Sequence, residues 1–264
     1  AHRDILAGQI ATYYSRTAPS GVTVRTPQRI TAVLPEDLRR TLFCLPAISA
    51  LRGQFPLAKV TLVAAPAQVG LLRQSGLAET VVERPAALPE WPAFLRALWR
   101  PRADVCLTFA DDPASTLIAG TSLAPSRLGF AEGPWTLLLT DHLHVRALPS
   151  PARALMLVHP LGIAAGGALP ALRLPDDAYD AADRAYLAAG IEPREPVVLL
   201  CPGGEDERAW PRGHWAQLVR LLQDERSERL AVLGGGIDLP ARVAVVPQPG
   251  DALLLAAVLA RAAV

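Results

Sequence analysis

The sequence predicts an α/β protein with two lobes, each built on a parallel sheet. Short apolar strands alternate with amphipathic stretches of about ten to fifteen residues, which is the pattern of consecutive strand–helix–strand units. The alternation occurs twice, from residue 28 and again from residue 196, and a stretch rich in proline and glycine separates the two occurrences. The chain has 264 residues, of which 51% are hydrophobic, so both lobes can bury a core.

The first lobe is predicted over residues 28–150. Its first strand covers 29–34, and the following helix, 38–51, repeats leucine and isoleucine at helical spacing, so one face packs on the sheet. Pro46 lies inside that pattern and predicts a kink. Further strands are predicted at 59–64, 79–82 and 103–108, and further helices at 67–74 and 91–99.

The rest of the chain comprises an N-terminal extension, a crossover and the second lobe. Residues 1–27 show weak periodicity and are interpreted as an N-terminal extension. Residues 151–195 are interpreted as an interdomain crossover because proline and glycine dominate them before a polar helix. The second lobe, 196–264, holds too few predicted strands to complete its sheet and is expected to be partial.

Composition excludes several classes of function. With 26 basic and 25 acidic residues the net charge is +1, which gives no global field for binding nucleic acid. Histidines and cysteines show no zinc-ligand spacing, and Asp111-Asp112 is interpreted as a helix cap rather than a metal site, so no metal is predicted.

The same features predict a cytoplasmic protein. Cys44, Cys106 and Cys201 are odd in number and set among apolar residues, which favours a reducing compartment over a disulfide framework. No secretory signal and no membrane-spanning apolar run is visible. Tryptophans and arginines near Trp91 and Trp99 could contact a membrane surface peripherally, or could instead pack on the sheet.

The loop after the strand 196–201 is the best candidate ligand site. Parallel sheets bind ligands at the carboxyl ends of their strands. Gly203 and Gly204 allow close backbone approach, and Arg208 can offer a bidentate fork to phosphate beside the positive end of the next helix. Alternatively, the glycines only make a turn and Arg208 pairs with Glu205 or Glu207.

Segments on both lobes resemble glycosyltransferase family 9, the ADP-heptose lipopolysaccharide heptosyltransferases. In the second lobe the resemblance lies in Cys201-Pro202-Gly203-Gly204, Arg208-Ala209-Trp210-Pro211 and His214-Trp215. In the first lobe it lies in 45–52, 55–60, 103–107 and Ser126-Arg127-Leu128-Gly129-Phe130. Their order and spacing match over residues 29 to about 260.

The resemblance implies a GT-B fold of two Rossmann-like lobes, with the acceptor on the N-terminal side and a nucleotide sugar on the C-terminal side. It implies a metal-independent inverting transfer, from an ADP-linked donor to a bacterial surface glycan or glycolipid, with no cofactor. Arg208 would hold donor phosphate with Gly203 and Gly204, and Trp210 would lie in the same donor loop. Arg40 and Arg127 would lie on the acceptor side.

The sequence departs from the family at the predicted base. The resemblance implies a Gly-Asp pair at the start of the first helix, but Arg39-Arg40 stands there. Asp37, or Glu36, could substitute as the base, or could simply place charge beside the helix dipole. The chain also ends before the family's late Asp-Ser/Thr-Gly-Pro-x-His motif. A non-catalytic binding or scaffolding module is therefore the alternative function.

Overall fold

The computed structural model of the chain describes residues 26–98, 100, 102–130, 133–143, 150–163, 172–192, 195–202, 210–225, 228–235 and 243–262. The chain divides into two compact units, unit 1 (residues 1–172) and unit 2 (residues 173–264). Among the described residues, no helix is long and apolar enough to cross a membrane.

Unit 1 contains a six-stranded sheet in which every neighbouring pair is parallel. Its strands are β1 (Arg29–Val33), β2 (Lys59–Ala64), β3 (Thr80–Glu83), β4 (Val105–Thr108), β5 (Ser126–Gly129) and β6 (Asp141–His142). The spatial order is β3-β2-β1-β4-β5-β6, with Ile30 of β1 opposite Val60 of β2 and Val105 of β4.

Helices cover both faces of this sheet. They are α1 (Leu38–Gln54), α2 (Pro66–Gln74), α3 (Trp91–Leu98), α4 (Pro113–Thr121) and α5 (Ser150–Val158). Successive strand side chains point to opposite faces, so Ile30 packs in one core with Ile48 of α1. Val33 packs in the other core with Phe94 of α3 and Ile118 of α4.

The strand order creates a switch point in the middle of the sheet. From β1 the chain builds outward through β2 and β3, and then returns to the other side of β1 with β4. Connections on the two sides of β1 therefore diverge and leave a crevice at the carboxyl ends of β1 and β4, where open α/β sheets bind ligands.

Unit 2 has a parallel sheet of three described strands in the order β7-β8-β9. Its elements are α6 (Asp176–Ala188), β7 (Val197–Leu200), α7 (Arg212–Glu225), β8 (Arg229–Leu233), β9 (Ala244–Val246) and α8 (Ala252–Arg261). Helices α6 and α8 pack together. The Tyr186 hydroxyl donates to the carbonyl of Val258 at 2.9 Å, and Arg261 Nε donates to Asp183 at 2.7 Å.

The α/β class with parallel sheets is confirmed, and the predicted strands and helices lie within a few residues of the observed ones. Pro46 lies inside a helix that continues on both sides of it. The segment 151–195, interpreted as a crossover, contributes to both units, because α5 packs in the unit 1 core and α6 in the unit 2 core. The predicted extension lies outside the described residues up to residue 25.

Candidate functional site

The connection from β1 to α1 forms one side of the crevice and is held by buried polar groups. Thr41 Oγ1 lies 2.8 Å from the carbonyl oxygen of Pro35, and Gln68 Nε2 donates to the carbonyl of Glu36 at 2.6 Å. Both polar residues are buried. The backbone of this loop is therefore fixed from inside the protein, independently of the side chains that it displays.

Asp37 ends this loop as the N-cap of α1. Its side chain accepts a hydrogen bond from the backbone N–H of Arg40 at 2.8 Å. The cap satisfies an N–H that the first helical turn would otherwise leave without a partner. Asp37 is exposed at the carboxyl edge of the sheet, so the residue predicted as a base has a structural role there as well.

Arg40, Asp111 and Arg153 meet at the switch point and are called the Arg–Asp–Arg cluster below. Arg40, in the first turn of α1, donates from Nη2 to Asp111 Oδ1 at 2.7 Å. Arg153, on α5, donates from Nη2 to Asp111 Oδ2 at 3.3 Å. Each oxygen of one carboxylate therefore faces a different guanidinium.

This arrangement determines the protonation of Asp111. Partial burial by itself would raise the pKa of its carboxyl, but the hydrogen bond and charge of Arg40, with the charge of Arg153, lower that pKa below its usual value. The hydrogen bond to Asp111 raises the pKa of Arg40. Two guanidinium groups thus face one carboxylate, and the pairing of Arg40 with Asp111 favours the charged form of both.

A narrow cleft of about 20 Å³ opens beside the cluster. It is lined by Pro35, Arg40, Cys44, Phe109, Phe130, Arg153 and Ala154. The guanidinium of Arg153 lies over the Phe130 ring at 4.7 Å from its centroid. Burial raises the pKa of the Cys44 thiol to about 12, so the thiol is neutral and is not the reactive group of this cleft.

A second charged cluster lies beside the first and is called the Arg84 cluster. Arg84, buried at the end of β3, donates to Ser115 Oγ at 3.1 Å and lies 3.3 Å from both Asp112 and Glu36. Asp112 is the N-cap of α4 and accepts from the Ser115 backbone N–H at 2.8 Å. The prediction of a helix cap is confirmed for Asp112, while Asp111 pairs with arginines instead.

The other predicted acceptor-side residue, Arg127, is placed differently. Its Nε donates to the carbonyl of Leu138 at 2.8 Å and its Nη1 to the carbonyl of Ala124 at 2.7 Å. These bonds link the backbone just before β5 to the end of the 3-10 helix Gly133–Leu138. Arg127 is not among the residues that line the cleft beside the Arg–Asp–Arg cluster, so the structure brings Arg40 to the crevice but not Arg127.

On unit 2, Gly203, Gly204 and Arg208 lie outside the described residues. Trp210 is described and is 47% exposed. Its ring centroid lies 5.0 Å from that of Trp215 in an edge-on contact and 5.6 Å from that of His214. An exposed aromatic group therefore stands directly before α7, beside the predicted donor loop.

Sequence reasoning missed Asp111 and Arg153 as members of the site. Asp111 is 71 residues from Arg40, and Arg153 is 42 residues from Asp111. A signal was present for Asp111: in a doubly wound sheet the strand that returns to the other side of β1 ends next to the start of α1. No such signal pointed to Arg153, which lies in the segment that was interpreted as a crossover.

Comparison with known proteins identifies the fold. Neither a sequence model of a protein family nor the sequence of a curated protein matches the chain. Solved structures, in contrast, match most of the chain. A family 9 glycosyl transferase from Veillonella parvula matches with a TM-score of 0.75 at 14% identity, over 89% of this chain and 73% of that one.

Two proteins of E. coli match over similar lengths. Heptosyltransferase WaaC, solved with ADP-2-deoxy-2-fluoro heptose, has a TM-score of 0.62 at 19% identity, over 89% of this chain and 80% of that one. ADP-heptose lps heptosyltransferase II has a TM-score of 0.63 at 19% identity, over 79% of this chain and 65% of that one. The chain thus has the fold of GT-B-type glycosyltransferases, and it spans about two thirds of heptosyltransferase II.

Proposed function

We propose that the protein is a glycosyltransferase that moves a sugar from a nucleoside diphosphate donor, ADP-linked, to a glycan or glycolipid acceptor of the bacterial surface. The observation that carries the proposal is the fold likeness to family 9 structures over 89% of the chain. One of those structures holds an ADP-sugar analogue. The segments that resemble the family in sequence occur on both units.

Donor binding is assigned to unit 2. Strand β7 ends at Leu200 and α7 begins at Arg212, and the segment predicted to bind the donor lies between them in the sequence. Gly203 and Gly204 would give the diphosphate room and backbone N–H groups, and Arg208 a guanidinium, beside the positive end of α7. Trp210, which is 47% exposed and two residues from Arg208 in the sequence, would add an aromatic surface to this donor site.

Acceptor chemistry is assigned to the carboxyl edge of unit 1. In an inverting transfer, the acceptor hydroxyl attacks the anomeric carbon, its proton passes to a base, and the anomeric C–O bond breaks as the nucleoside diphosphate leaves with the electron pair. Asp37 is the proposed base because it is exposed at this edge. Asp111 is the weaker proton acceptor, since its two arginines lower its pKa.

The reaction also needs positive groups that stabilise charge on the leaving diphosphate. Arg208 has that role in the proposal. Because the transfer is metal-independent, this cationic side chain and the backbone N–H groups of Gly203 and Gly204 do the work that a bound cation does in other transferases.

A second function is favoured by one observation. The resemblance implies a carboxylate at position 40, but Arg40 stands there and is ion-paired with Asp111 at 2.7 Å. An arginine held by an acid cannot accept a proton. This supports a module that binds a glycan or nucleotide sugar without transferring it.

The first experiment, titration calorimetry, tests whether the chain has a nucleotide-binding site. The full chain is titrated with ADP, UDP and GDP, and Arg208→Ala is compared with Arg220→Ala, which removes an exposed arginine on α7. We expect selective binding of ADP that Arg208→Ala weakens and Arg220→Ala does not. No binding of any nucleotide by the folded chain would contradict a donor site.

The second step tests transfer. The nucleotide that binds is supplied as its sugar conjugate, and release of free nucleotide is followed with and without glycan acceptors. Turnover that Asp37→Asn abolishes supports the transferase with Asp37 as base. Nucleotide binding without turnover on any acceptor supports the binding module.

A further inference from the structure

We propose that Arg40 and Arg153 form an exchangeable anion site, which Asp111 occupies in the structure and which binds a carboxylate or phosphate group of a ligand in the adjoining cleft. The site lies wholly within unit 1. It requires neither donor nor transfer, so it stands or fails separately from the proposed function.

The geometry of the present occupant describes the site. Two guanidiniums reach one carboxylate from two different helices, and each contacts a different oxygen, at 2.7 Å and 3.3 Å. Arginine is the side chain best suited to planar, two-oxygen recognition of carboxylate and phosphate. An external anion of the same shape can therefore meet the same two groups.

The arginines keep hydrogen-bonding capacity that Asp111 does not use. Among the described contacts, each guanidinium spends a single nitrogen on Asp111, although a guanidinium carries five N–H donors. Arg153 Nε is buried and has no hydrogen-bond partner in the part of the chain that the structure describes. A buried donor without a partner is costly, and Asp111, which contacts Nη2, leaves this one unsatisfied.

Arg153 has a contact that holds it independently of Asp111. It stacks over Phe130 at 4.7 Å and its side chain is 22% exposed, whereas Arg40, on the capped first turn of α1, has a side chain that is 38% exposed. Asp111 stands on the loop after β4 with 43% of its side chain exposed. Such an exposed carboxylate can turn into solvent and leave the arginines free, because water solvates it there.

The cleft beside the arginines is narrow. Its volume of about 20 Å³ admits a small polar group of a ligand rather than a whole sugar ring, and Pro35, Phe109 and Phe130 give it apolar walls. Apolar walls lower the local dielectric and strengthen charge-assisted hydrogen bonds to the arginines. The positive end of α1 adds to the attraction for an anion.

The test uses Asp111 as an internal competitor for Arg40 and Arg153. The full chain is titrated with glucuronate, with glucose 6-phosphate and with neutral glucose, and binding is followed by calorimetry. Because Asp111 competes for the arginines, Asp111→Asn should bind the anionic sugar more tightly than the natural chain does. Arg40→Gln and Arg153→Gln should each weaken binding about tenfold, the effect of losing a charged hydrogen bond.

Arg39→Gln is the matched control, since Arg39 is the exposed neighbour of Arg40 on the same helical turn. It should leave the affinity unchanged. Thermal unfolding of each variant verifies that it is folded, and Arg40→Lys, which keeps the charge but loses the planar fork, serves if Arg40→Gln does not fold. Binding of glucuronate alone would support a carboxylate ligand, and binding of glucose 6-phosphate alone a phosphate ligand.

Three results would overturn the proposal. One is an Asp111→Asn affinity that is equal to or weaker than that of the natural chain, which would make the carboxylate part of the site rather than its competitor. Another is an equal loss in Arg39→Gln and Arg40→Gln. The third is the absence of anion binding by both the folded natural chain and folded Asp111→Asn.

Discussion

Asp111 and Asp112 are adjacent carboxylates, each bound by arginine, yet they do different work. Asp112 caps α4 and pairs with Arg84, whose side chain is 9% exposed. Asp111 caps no helix and pairs with Arg40, whose side chain is 38% exposed, beside an open cleft. The comparison shows that two neighbouring ion pairs differ in how exposed their arginines are, since Arg40 at 38% and Arg153 at 22% are both more open than Arg84 at 9%.

The largest effect is expected from Arg84→Ala. Removing this buried arginine takes one hydrogen-bond partner from Asp112 and from Ser115 and leaves space beside Trp91, whose ring centroid is 5.9 Å from the guanidinium carbon. We expect a loss of about 2 kcal/mol in the free energy of unfolding, because the buried side chain loses its packing and its hydrogen bonds. Urea denaturation measures it, with Arg96→Ala on the exposed part of α3 as the control. Equal losses in both variants would show that Arg84 is not the anchor.

A smaller effect is expected from Asp112→Asn. Asparagine caps a helix about as well as aspartate, so the variant removes the charge that faces Arg84 while keeping the cap. The expected loss is about 1 kcal/mol, at the upper end for a partly exposed pair. Asp112→Ser, which also keeps a cap, should cost a similar amount, and a much larger loss in either variant would mean that the cap itself had been damaged.

The charge of Asp112 also predicts a pH dependence. Burial alone would raise the pKa of Asp112, but hydrogen bonds from Ser115 and the charge of Arg84 lower it below the unfolded value of about 3.9. The stabilisation is therefore present above that value and is lost as the pH falls through the folded pKa. The difference in unfolding free energy between the natural chain and Asp112→Asn should be constant near neutrality and shrink below about pH 4. A difference that grew on acidification would contradict this sign.

The smallest effect is expected from the Arg–Asp–Arg cluster. Arg40→Gln and Asp111→Asn should each change the unfolding free energy by no more than about 0.5 kcal/mol, since half-exposed ion pairs contribute little. Urea denaturation of the two single variants and the double variant measures their coupling. A coupling as large as that between Arg84 and Asp112 would remove the distinction between the two clusters.

Local patterns in the sequence were enough to predict the elements with strong signals. The apolar runs of β1, β2 and β4 and the leucine spacing of α1 predicted those elements closely. Asp112 as a helix cap was also a local inference, since the cap and its partner Ser115 are three residues apart.

Other elements had no local signal. Helix α4 is built from small residues such as Ala114 and Ser115, and α8 is apolar at almost every position, so neither shows an amphipathic period. Strand β6 has two residues. Prolines flank α5 in the sequence and obscure its apolar periodicity, so neither the helix nor the position of Arg153 was predicted.

The Arg–Asp–Arg cluster was beyond local reasoning for a different reason. Its three members come from α1, the end of β4 and α5, and their meeting depends on strand order and helix packing rather than on spacing in the chain. Asp37, for which the resemblance suggested the role of base, caps α1 at the carboxyl edge of the sheet. The turnover assay with Asp37→Asn tests its proposed role as a base.

The way in which Thr41 and Gln68 hold the loop after β1 bears on how this edge can diversify. From inside the protein, Thr41 donates a hydrogen bond to the carbonyl of Pro35, and Gln68 donates one to the carbonyl of Glu36. The fold therefore tolerates exchange at outward positions such as Arg39 while the path of the chain stays the same. A combinatorial library that varies such positions and leaves Thr41 and Gln68 untouched should stay folded, so the outward surface of this edge can be changed without rebuilding the scaffold.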